Sequence, residues 1–200
     1  MANRVEPLKP GESDDEKVNE LLQEAAEGWW GDSAMFGLIG RNPEMVKTIV
    51  PVFESFFQKG SVEPHIHELM RLKTGEINRC AYCASVRSQG VRDEVAPKED
   101  AIFNEVDGDD LTHREELAVT LAEGMAGDPN YIEDDLFSML REEFSEEEIV
   151  ELVFAASVMN FGNKFNITMT LDSEDGNQYP TGLEYPLDDP EDVRAESTSD

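Results

Sequence analysis

The 200-residue sequence is poor in cysteine, histidine and basic side chains, and it has no long apolar run. It contains two cysteines, three histidines and 16 Lys and Arg residues, against 45 Asp and Glu, which gives a net charge of −29. So negative a field repels nucleic acid and anionic membranes. Neither is therefore an expected partner of this protein.

The N-terminal stretch MANRVEPLKPGESDDEK lacks the apolar region of a secretory signal, and no segment approaches the length of a membrane span. We therefore expect a cytoplasmic protein. In that reducing compartment, a single cysteine pair is more often catalytic or metal-binding than structural.

The negative charge is not confined to one end of the chain. Residues 172–200 hold ten acids and one Arg, which is −9 of the −29 and leaves −20 for residues 1–171. Acids interspersed along helical stretches such as REEFSEEEIVEL favour a halophilic protein, whose solvated acidic surface is screened by a salt-rich cytoplasm. An ordinary acidic protein from a mesophile is the alternative.

Apolar residues recur at helical spacing through residues 15–171, and no segment shows sustained period-two alternation. We therefore predict a single all-α domain there. Residues 1–14 are polar and contain Pro and Gly, which predicts a flexible lead ending at a helix capped by Ser13 or Asp14. Residues 172–200 are rich in acids, Pro and Gly and predict an acidic tail, disordered or draped over the surface.

Several helix boundaries carry recognisable signals. Asn42 and Pro43 predict the start of a helix that ends at Gly60. Residues 64–77 form a helical pattern, followed by a break at Asn78 and a second helix that begins at the cysteines and ends near Gly90. Two later helices begin with capping boxes. These boxes are Thr112 with Glu115, and Ser145 with Glu148.

Both cysteines lie in INRCAYCASVR, residues 77–87. Three interpretations compete: two small buried side chains, half of a zinc site, and a redox pair. Zinc needs two further ligands. The nearby candidates His65 and His67 point to nearly opposite faces of a helix because they are two residues apart. The redox interpretation is favoured.

A helix that begins near Arg79 would place Cys80 in its first turn, where the unpaired N–H groups stabilise a thiolate. Cys83 would then lie one turn further on the same face, within disulfide reach. Arg87 follows four residues later on that face, where its guanidinium would lower the pKa of Cys83. Glu68, on the preceding helix, is the best carboxyl to serve as proton donor for a peroxide-reducing thiol.

The run NPEMVKTIVPVFESFFQKGSVEPHIHELMRLKTGEINRCAYCASVRSQGV, with LTHREELAVTLAEGMAG and FSEEEIVELVFAASVMNFGNKFNI further on, resembles the carboxymuconolactone decarboxylase-like superfamily. The resemblance is to its alkylhydroperoxidase D-like branch and covers about residues 35–170. The signature of that branch is a Glu, eleven residues, Cys-x-x-Cys, three residues and a His. Glu68, Cys80 and Cys83 match it in register.

The resemblance implies an alkylhydroperoxidase D-like helical bundle that assembles into trimers or hexamers. It also implies an enzyme, an antioxidant peroxidase or thiol–disulfide oxidoreductase that reduces hydroperoxides. In that relay Cys83 attacks, Cys80 resolves and Glu68 handles the proton. Members of the branch use no metal or flavin. Their electrons come from a partner dithiol such as a lipoyl domain or a thioredoxin-like protein.

Arg87 stands where the branch has His, and an arginine cannot release a proton near neutral pH. Arg87 can therefore stabilise a thiolate or pair with Glu68, but it cannot shuttle protons. His65 and Tyr82 are substitute donors to consider. We expect slower peroxide turnover than in a His-bearing member, or a different substrate. The alternative function is a helical oligomer whose dithiol is a redox sensor or a partner-binding switch with little turnover.

The late stretch MNFGNKFN spaces Asn160, Asn163 and Asn166 three residues apart on a helix. In the family that this sequence resembles, the corresponding helix packs near the dithiol. Hydrogen bonds between helices explain the same asparagines without any catalytic role.

Overall fold

A computed structural model of the chain describes residues 3–103, 105–106 and 108–171, and the regular elements in this part are all helical. The predicted all-α fold class is confirmed. None of the described helices is both long enough and apolar enough to cross a membrane. Ten α-helices lie in the described part, joined by loops and short 3₁₀ turns. They are α1 (Glu16–Glu27), α2 (Ala34–Ile39), α3 (Pro43–Phe57), α4 (Pro64–Ile77), α5 (Ala81–Ser85), α6 (Arg92–Val95), α7 (Glu99–Ile102), α8 (His113–Ala126), α9 (Asp134–Glu143) and α10 (Glu146–Met169).

The predicted starts of α3, α8 and α10 are confirmed. The Asn42 side chain accepts the Met45 N–H at the start of α3, and Pro43 is the first residue of that helix. Both capping boxes are complete, with each hydroxyl accepting one backbone N–H and each carboxylate accepting another. Local sequence therefore determines where α8 and α10 begin.

Helix α4 lies at the centre of the fold, and nine of its 14 residues are buried. Ile66 and Met70 belong to the main core, which also contains both cysteines. Leu69 and Leu72 belong to a second core with residues of α6, α7 and α8. A helix buried on both sides must bury polar side chains as well, and each of those needs a partner.

An aromatic cluster fills the space between α3 and the loop that precedes α2. Trp30 contacts Phe36, Phe53 and Phe57 with ring centroids 4.9 to 5.9 Å apart. Trp29 packs edge-on against Trp30 at 4.7 Å. Helix α2 was not predicted, because all six of its residues are buried and so short a helix shows no amphipathic period.

The N-terminal lead ends differently from the prediction. Asp15, rather than Ser13 or Asp14, caps α1 by accepting the N–H groups of Lys17 and Val18. The lead itself lies along the domain, where the Leu8 N–H donates to the Gly37 carbonyl at 3.1 Å and the Arg4 N–H to the Met169 carbonyl at 3.1 Å. The flexibility of residues 1–14 remains a prediction. The predicted acidic tail, residues 172–200, lies outside the described residues.

The helix that follows the cysteines is much shorter than predicted. It ends at Ser85 instead of Gly90, and Val86 is extended. In a continuing helix the Cys83 carbonyl would accept the Arg87 N–H. Instead Arg71 of α4 donates to that carbonyl at 2.6 Å and to the Val86 carbonyl at 2.6 Å. A side chain from a neighbouring helix thus replaces the helical hydrogen bonds and terminates α5.

Candidate active site

A tight turn at the end of α4 positions the cysteine pair. The Cys80 N–H donates to the Gly75 carbonyl at 2.8 Å and the Arg79 N–H to the Glu76 carbonyl at 2.9 Å. This pattern is a Schellman motif, and Arg79 occupies its left-handed position with φ of 55°. Gly75 lets the next helix approach closely, because a Cβ there would lie 3.2 Å from the Cys83 Cβ.

The two cysteines form a disulfide, with Cα atoms 5.3 Å apart, and they differ in their surroundings. Cys80 caps α5 and is 1% exposed, and its Sγ accepts the Cys83 N–H at 3.4 Å. Cys83 is 5% exposed and lines a cavity. A cavity ligand therefore meets Cys83, while Cys80 lies behind it in the core.

The cavity beside Cys83 measures about 50 Å³, which is room for a small ligand. Its apolar wall comes from the aromatic cluster and from α10. The apolar lining residues are Trp30, Met35, Phe36, Phe53, Val86 and Met159. Polar side chains occupy the rest of the wall. They are Asp32, Arg71, Tyr82, Ser88, Asn163 and Asn166.

Glu68 is 1% exposed and accepts four hydrogen bonds from two residues that line this cavity. Two come from Arg71, at 2.6 and 2.7 Å, and two from the N–H and hydroxyl of Ser88, both at 2.9 Å. Burial raises the pKa of Glu68, but the Arg71 charge and these hydrogen bonds outweigh it, so the pKa lies below its ordinary value. Glu68 is therefore a carboxylate at neutral pH.

Arg87 is turned toward the second core and is not among the residues that line the cavity. It forms a two-pronged ion pair with Glu99 at 2.7 and 3.0 Å and donates to the carbonyls of Ala84 and Val86. Its guanidinium also lies 5.9 Å from the ring centre of Phe103. Because α5 ends at Ser85, Arg87 does not continue the helical face of Cys83. The guanidinium on the cavity wall, and the partner of Glu68, is Arg71.

Tyr82 brings a protonated hydroxyl to the cavity. Its hydroxyl donates to Asp32 Oδ1 at 2.6 Å and accepts the Met35 N–H at 3.4 Å. Burial, followed by the Asp32 charge, raises the pKa of Tyr82 well above its ordinary value. The phenol therefore keeps its proton at neutral pH. Asp32 carries no motif that could have identified it, because it lies in the loop before an unpredicted helix.

The three asparagines of α10 do two different things. Asn160 and Asn163 accept from the Asn78 amide at 2.7 and 3.1 Å, which are the predicted bonds between helices. Asn166 instead donates from Nδ2 to Cys83 Sγ at 3.3 Å. Their spacing of three residues was the available signal, but it could not distinguish the residue that reaches the sulfur.

Neither nearby histidine contacts the cysteines. His65 Nε2 lies 2.8 Å from Glu115 and His67 Nε2 lies 2.8 Å from Glu151, on two different helices. Burial lowers the pKa of His67, which keeps its ring neutral. Within residues 3–103, 105–106 and 108–171, no three His, Cys, Asp or Glu side chains are grouped to hold a metal ion.

The comparison with known sequences gives one curated relative. The Bacillus subtilis (strain 168) protein YdfG, described as uncharacterized, is 26% identical over 133 residues, which cover 64% of this chain and 88% of that protein. No protein-family model matches the chain.

Several solved structures share the architecture. One is debrominase Bmp8, as a cysteine-to-alanine variant in complex with 2,3,4-tribromopyrrole, at a TM-score of 0.71 and 17% identity over 87% of this chain and 93% of that one. Another is an alkylhydroperoxidase AhpD core, an uncharacterized peroxidase-related protein from Ralstonia eutropha JMP134. It aligns with a TM-score of 0.71 and 15% identity, and the alignment covers 88% of this chain and 94% of that one. An uncharacterized peroxidase-related protein from Silicibacter sp. TM1040 aligns with a TM-score of 0.66 and 14% identity, over 86% of this chain and 97% of that one. The chain thus has the alkylhydroperoxidase D-like helical fold that its sequence predicts.

Proposed function

We propose that the protein is a thiol-dependent hydroperoxide reductase whose redox centre is the Cys80–Cys83 pair. The observation that carries the proposal is the asymmetry of the pair: Cys83 lines a cavity and Cys80 lies behind it. This arrangement suits one attacking thiolate and one resolving thiol. The alkylhydroperoxidase D-like fold supports the same chemistry.

In the first step the Cys83 thiolate attacks the terminal oxygen of a hydroperoxide, ROOH. An S–O bond forms, the O–O bond breaks, and the electron pair leaves on the alkoxide, which takes up a proton and departs as ROH. Cys83 becomes a sulfenic acid. The Cys80 thiol then attacks the Cys83 sulfur, which forms the disulfide, and its proton leaves with the hydroxyl group as water.

Two groups at the cavity suit the proton steps. Glu68 is a carboxylate and therefore has no proton to donate; the Ser88 hydroxyl, which donates a hydrogen bond to it, lines the same cavity as Cys83. Tyr82 keeps its proton and lies on the cavity wall, so it is the better donor to the departing alkoxide. To donate, the Tyr82 hydroxyl must leave its hydrogen bond to Asp32 and turn toward the alkoxide, and a proton from solvent then restores the phenol.

A dithiol reductant restores the pair with two electrons and two protons. Cys83 is 5% exposed and Cys80 is 1% exposed, so the reducing thiol must reach Cys83 through the cavity. A slender carrier such as a lipoyl group suits that access better than a broad protein surface. A lipoyl domain is therefore the preferred partner, ahead of a thioredoxin-like protein. Assembly into a trimer or hexamer remains part of the proposal.

The aromatic wall of the cavity favours a second candidate substrate, a small brominated aromatic. Bmp8 shares this fold and is named a debrominase. In such a reaction Cys83 would take the bromine as S–Br while the ring carbon takes a proton, and Cys80 would then displace bromide to form the same disulfide. The two candidates differ in the product released, an alcohol or bromide.

The test is steady-state consumption of tert-butyl hydroperoxide by the reduced protein with excess dithiothreitol, alongside 2,3,4-tribromopyrrole with bromide detection. We expect hydroperoxide turnover that Cys83→Ser abolishes. Reduced Cys80→Ser freed of dithiothreitol should consume one hydroperoxide per subunit and then stop at the sulfenic acid. Turnover that survives in Cys83→Ser would refute the assignment, and oxidation of the pair without repeated turnover would favour the sensor.

A further inference from the structure

Asn166 lies at the reacting sulfur although it is 83 residues from Cys83 in the sequence. It is 1% exposed on α10 and lines the cavity. Its Nδ2 donates to Cys83 Sγ at 3.3 Å and to Met35 Sδ at 3.4 Å. Disulfide and thioether sulfurs are both weak acceptors, but reduction converts Cys83 to a thiolate, whose charge makes it the stronger partner of this amide.

The carbonyl oxygen of the same Asn166 amide accepts no hydrogen bond within the described part of the chain. Oδ1 of Asn166 is buried and has no hydrogen-bond partner among the described residues. Asn163, one turn earlier, also lines the cavity, but its Oδ1 accepts from Asn78. Buried polar atoms are nearly always paired in folded proteins. A buried acceptor on a cavity-lining residue is therefore positioned to bind the donor of a cavity ligand.

We infer that Asn166 is a catalytic residue that stabilises the Cys83 thiolate with its N–H and binds the O–H of the hydroperoxide with Oδ1. The inference rests on the proposed peroxide reaction. A hydrogen bond donated to the thiolate favours the charged form. A hydroperoxide has one O–H, and holding it at Oδ1 keeps the terminal oxygen beside the sulfur that the same amide contacts.

The contact between Asn166 Oδ1 and the hydroperoxide O–H is kept throughout the transfer of the oxygen atom. The hydroperoxide O–H remains with the terminal oxygen as the S–O bond forms, so it becomes the O–H of the sulfenic acid. Oδ1 therefore accepts the same proton before and after the O–O bond breaks. The alkoxide receives its proton from Tyr82, and no proton passes through the asparagine. Asn166 orients the reactants and stabilises charge.

The experiment compares Asn166→Asp with Asn160→Asp. Both are isosteric changes on α10, but Asn160 does not line the cavity and bonds to Asn78 and the Met125 carbonyl. The Cys83 thiolate is titrated by ultraviolet absorbance in the Cys80→Ser background, so that a single thiol is observed. Kinetics with tert-butyl hydroperoxide are measured in the background that retains both cysteines.

Asn166→Asp removes the N–H donor and keeps an acceptor. We expect it to raise the thiol pKa by at least about one unit and to lower kcat about ten- to hundredfold, with a smaller change in KM. Asn166→Ala, which adds no charge, should raise both the thiol pKa and KM because it removes donor and acceptor together. It also repeats the test if Asn166→Asp does not fold.

Thiol pKa and kcat/KM in both Asn166 variants equal to those of Asn160→Asp would overturn the inference and leave the proposed function intact. Wild-type protein that consumes no hydroperoxide would refute the proposed function, and with it the Oδ1 contact. The pKa comparison would then still support or overturn the contact between the amide and the thiolate.

Discussion

The Arg71–Glu68 and Arg87–Glu99 pairs hold the same loop by similar means. Each guanidinium contacts its carboxylate through two nitrogens, and each also donates to the Val86 carbonyl. Both arginine side chains are almost equally covered, at 12% and 11% exposure. Their surroundings differ. Glu68 is 1% exposed and is joined to the cavity through Ser88, whereas Glu99 is 15% exposed and lies at the second core.

The comparison shows that position in a motif does not assign a role. Arg87 stands at the place where the resembled family has its histidine, yet its described contacts are structural. Arg71, four residues before Gly75 and outside the motif, supplies the charge beside Glu68 and the cavity. A charged side chain acts on the atoms it reaches, and the end of α5 at Ser85 turns Arg87 away.

The two pairs should differ most in the free energy of unfolding that is lost when each arginine is replaced. Arg71→Met leaves the buried Glu68 carboxylate without its counter-charge, so we expect it to lower the free energy of unfolding by about 3–5 kcal/mol. Arg87→Met leaves the less deeply buried Glu99 carboxylate, which water reaches more easily, and should cost less, about 1–3 kcal/mol. Urea denaturation at neutral pH measures both. Equal losses would mean that burial of the carboxylate does not distinguish the pairs.

Acid should weaken the Glu68 pair in a predictable direction. The pKa of Glu68 is lower in the folded protein than in the unfolded chain, so its contribution is present above about pH 4.3 and is lost as the pH falls through the folded pKa. Glu68→Gln has no such proton to take up. Its stability should therefore fall less steeply than wild type below that pH, by up to about 1.4 kcal/mol per pH unit. Parallel acid profiles in urea titrations would contradict this assignment.

Replacing Arg87 should have the smallest effect on chemistry. Because Arg87 is not among the cavity-lining residues, we expect Arg87→His and Arg87→Ala to change kcat/KM for a hydroperoxide by less than about threefold, after correction for the folded fraction. The measurement is the same steady-state assay. An increase of tenfold or more in Arg87→His alone would show that a histidine at this position reaches the thiols, contrary to the observed path of the loop.

Much of the fold was predictable because its signals are local. The capping boxes of α8 and α10, the cap of α3 and the span of α4 each depend on residues within one or two turns. The missed elements lacked such a signal. Helix α2 is buried on all sides, and α5 is terminated by an arginine of another helix rather than by its own residues.

The features of the candidate site likewise separate into those that depend on local sequence and those that depend on tertiary packing. The sequence by itself determined the close spacing of Cys80 and Cys83, because a turn of backbone brings residues three apart together. It also placed Glu68 on the helix that precedes the cysteines. The tertiary structure decided which groups surround Cys83. Asp32 and Asn166 come from segments 50 residues before Tyr82 and 83 residues after Cys83. Helical periodicity acts over a few residues, whereas contacts between distant helices depend on how the whole core packs.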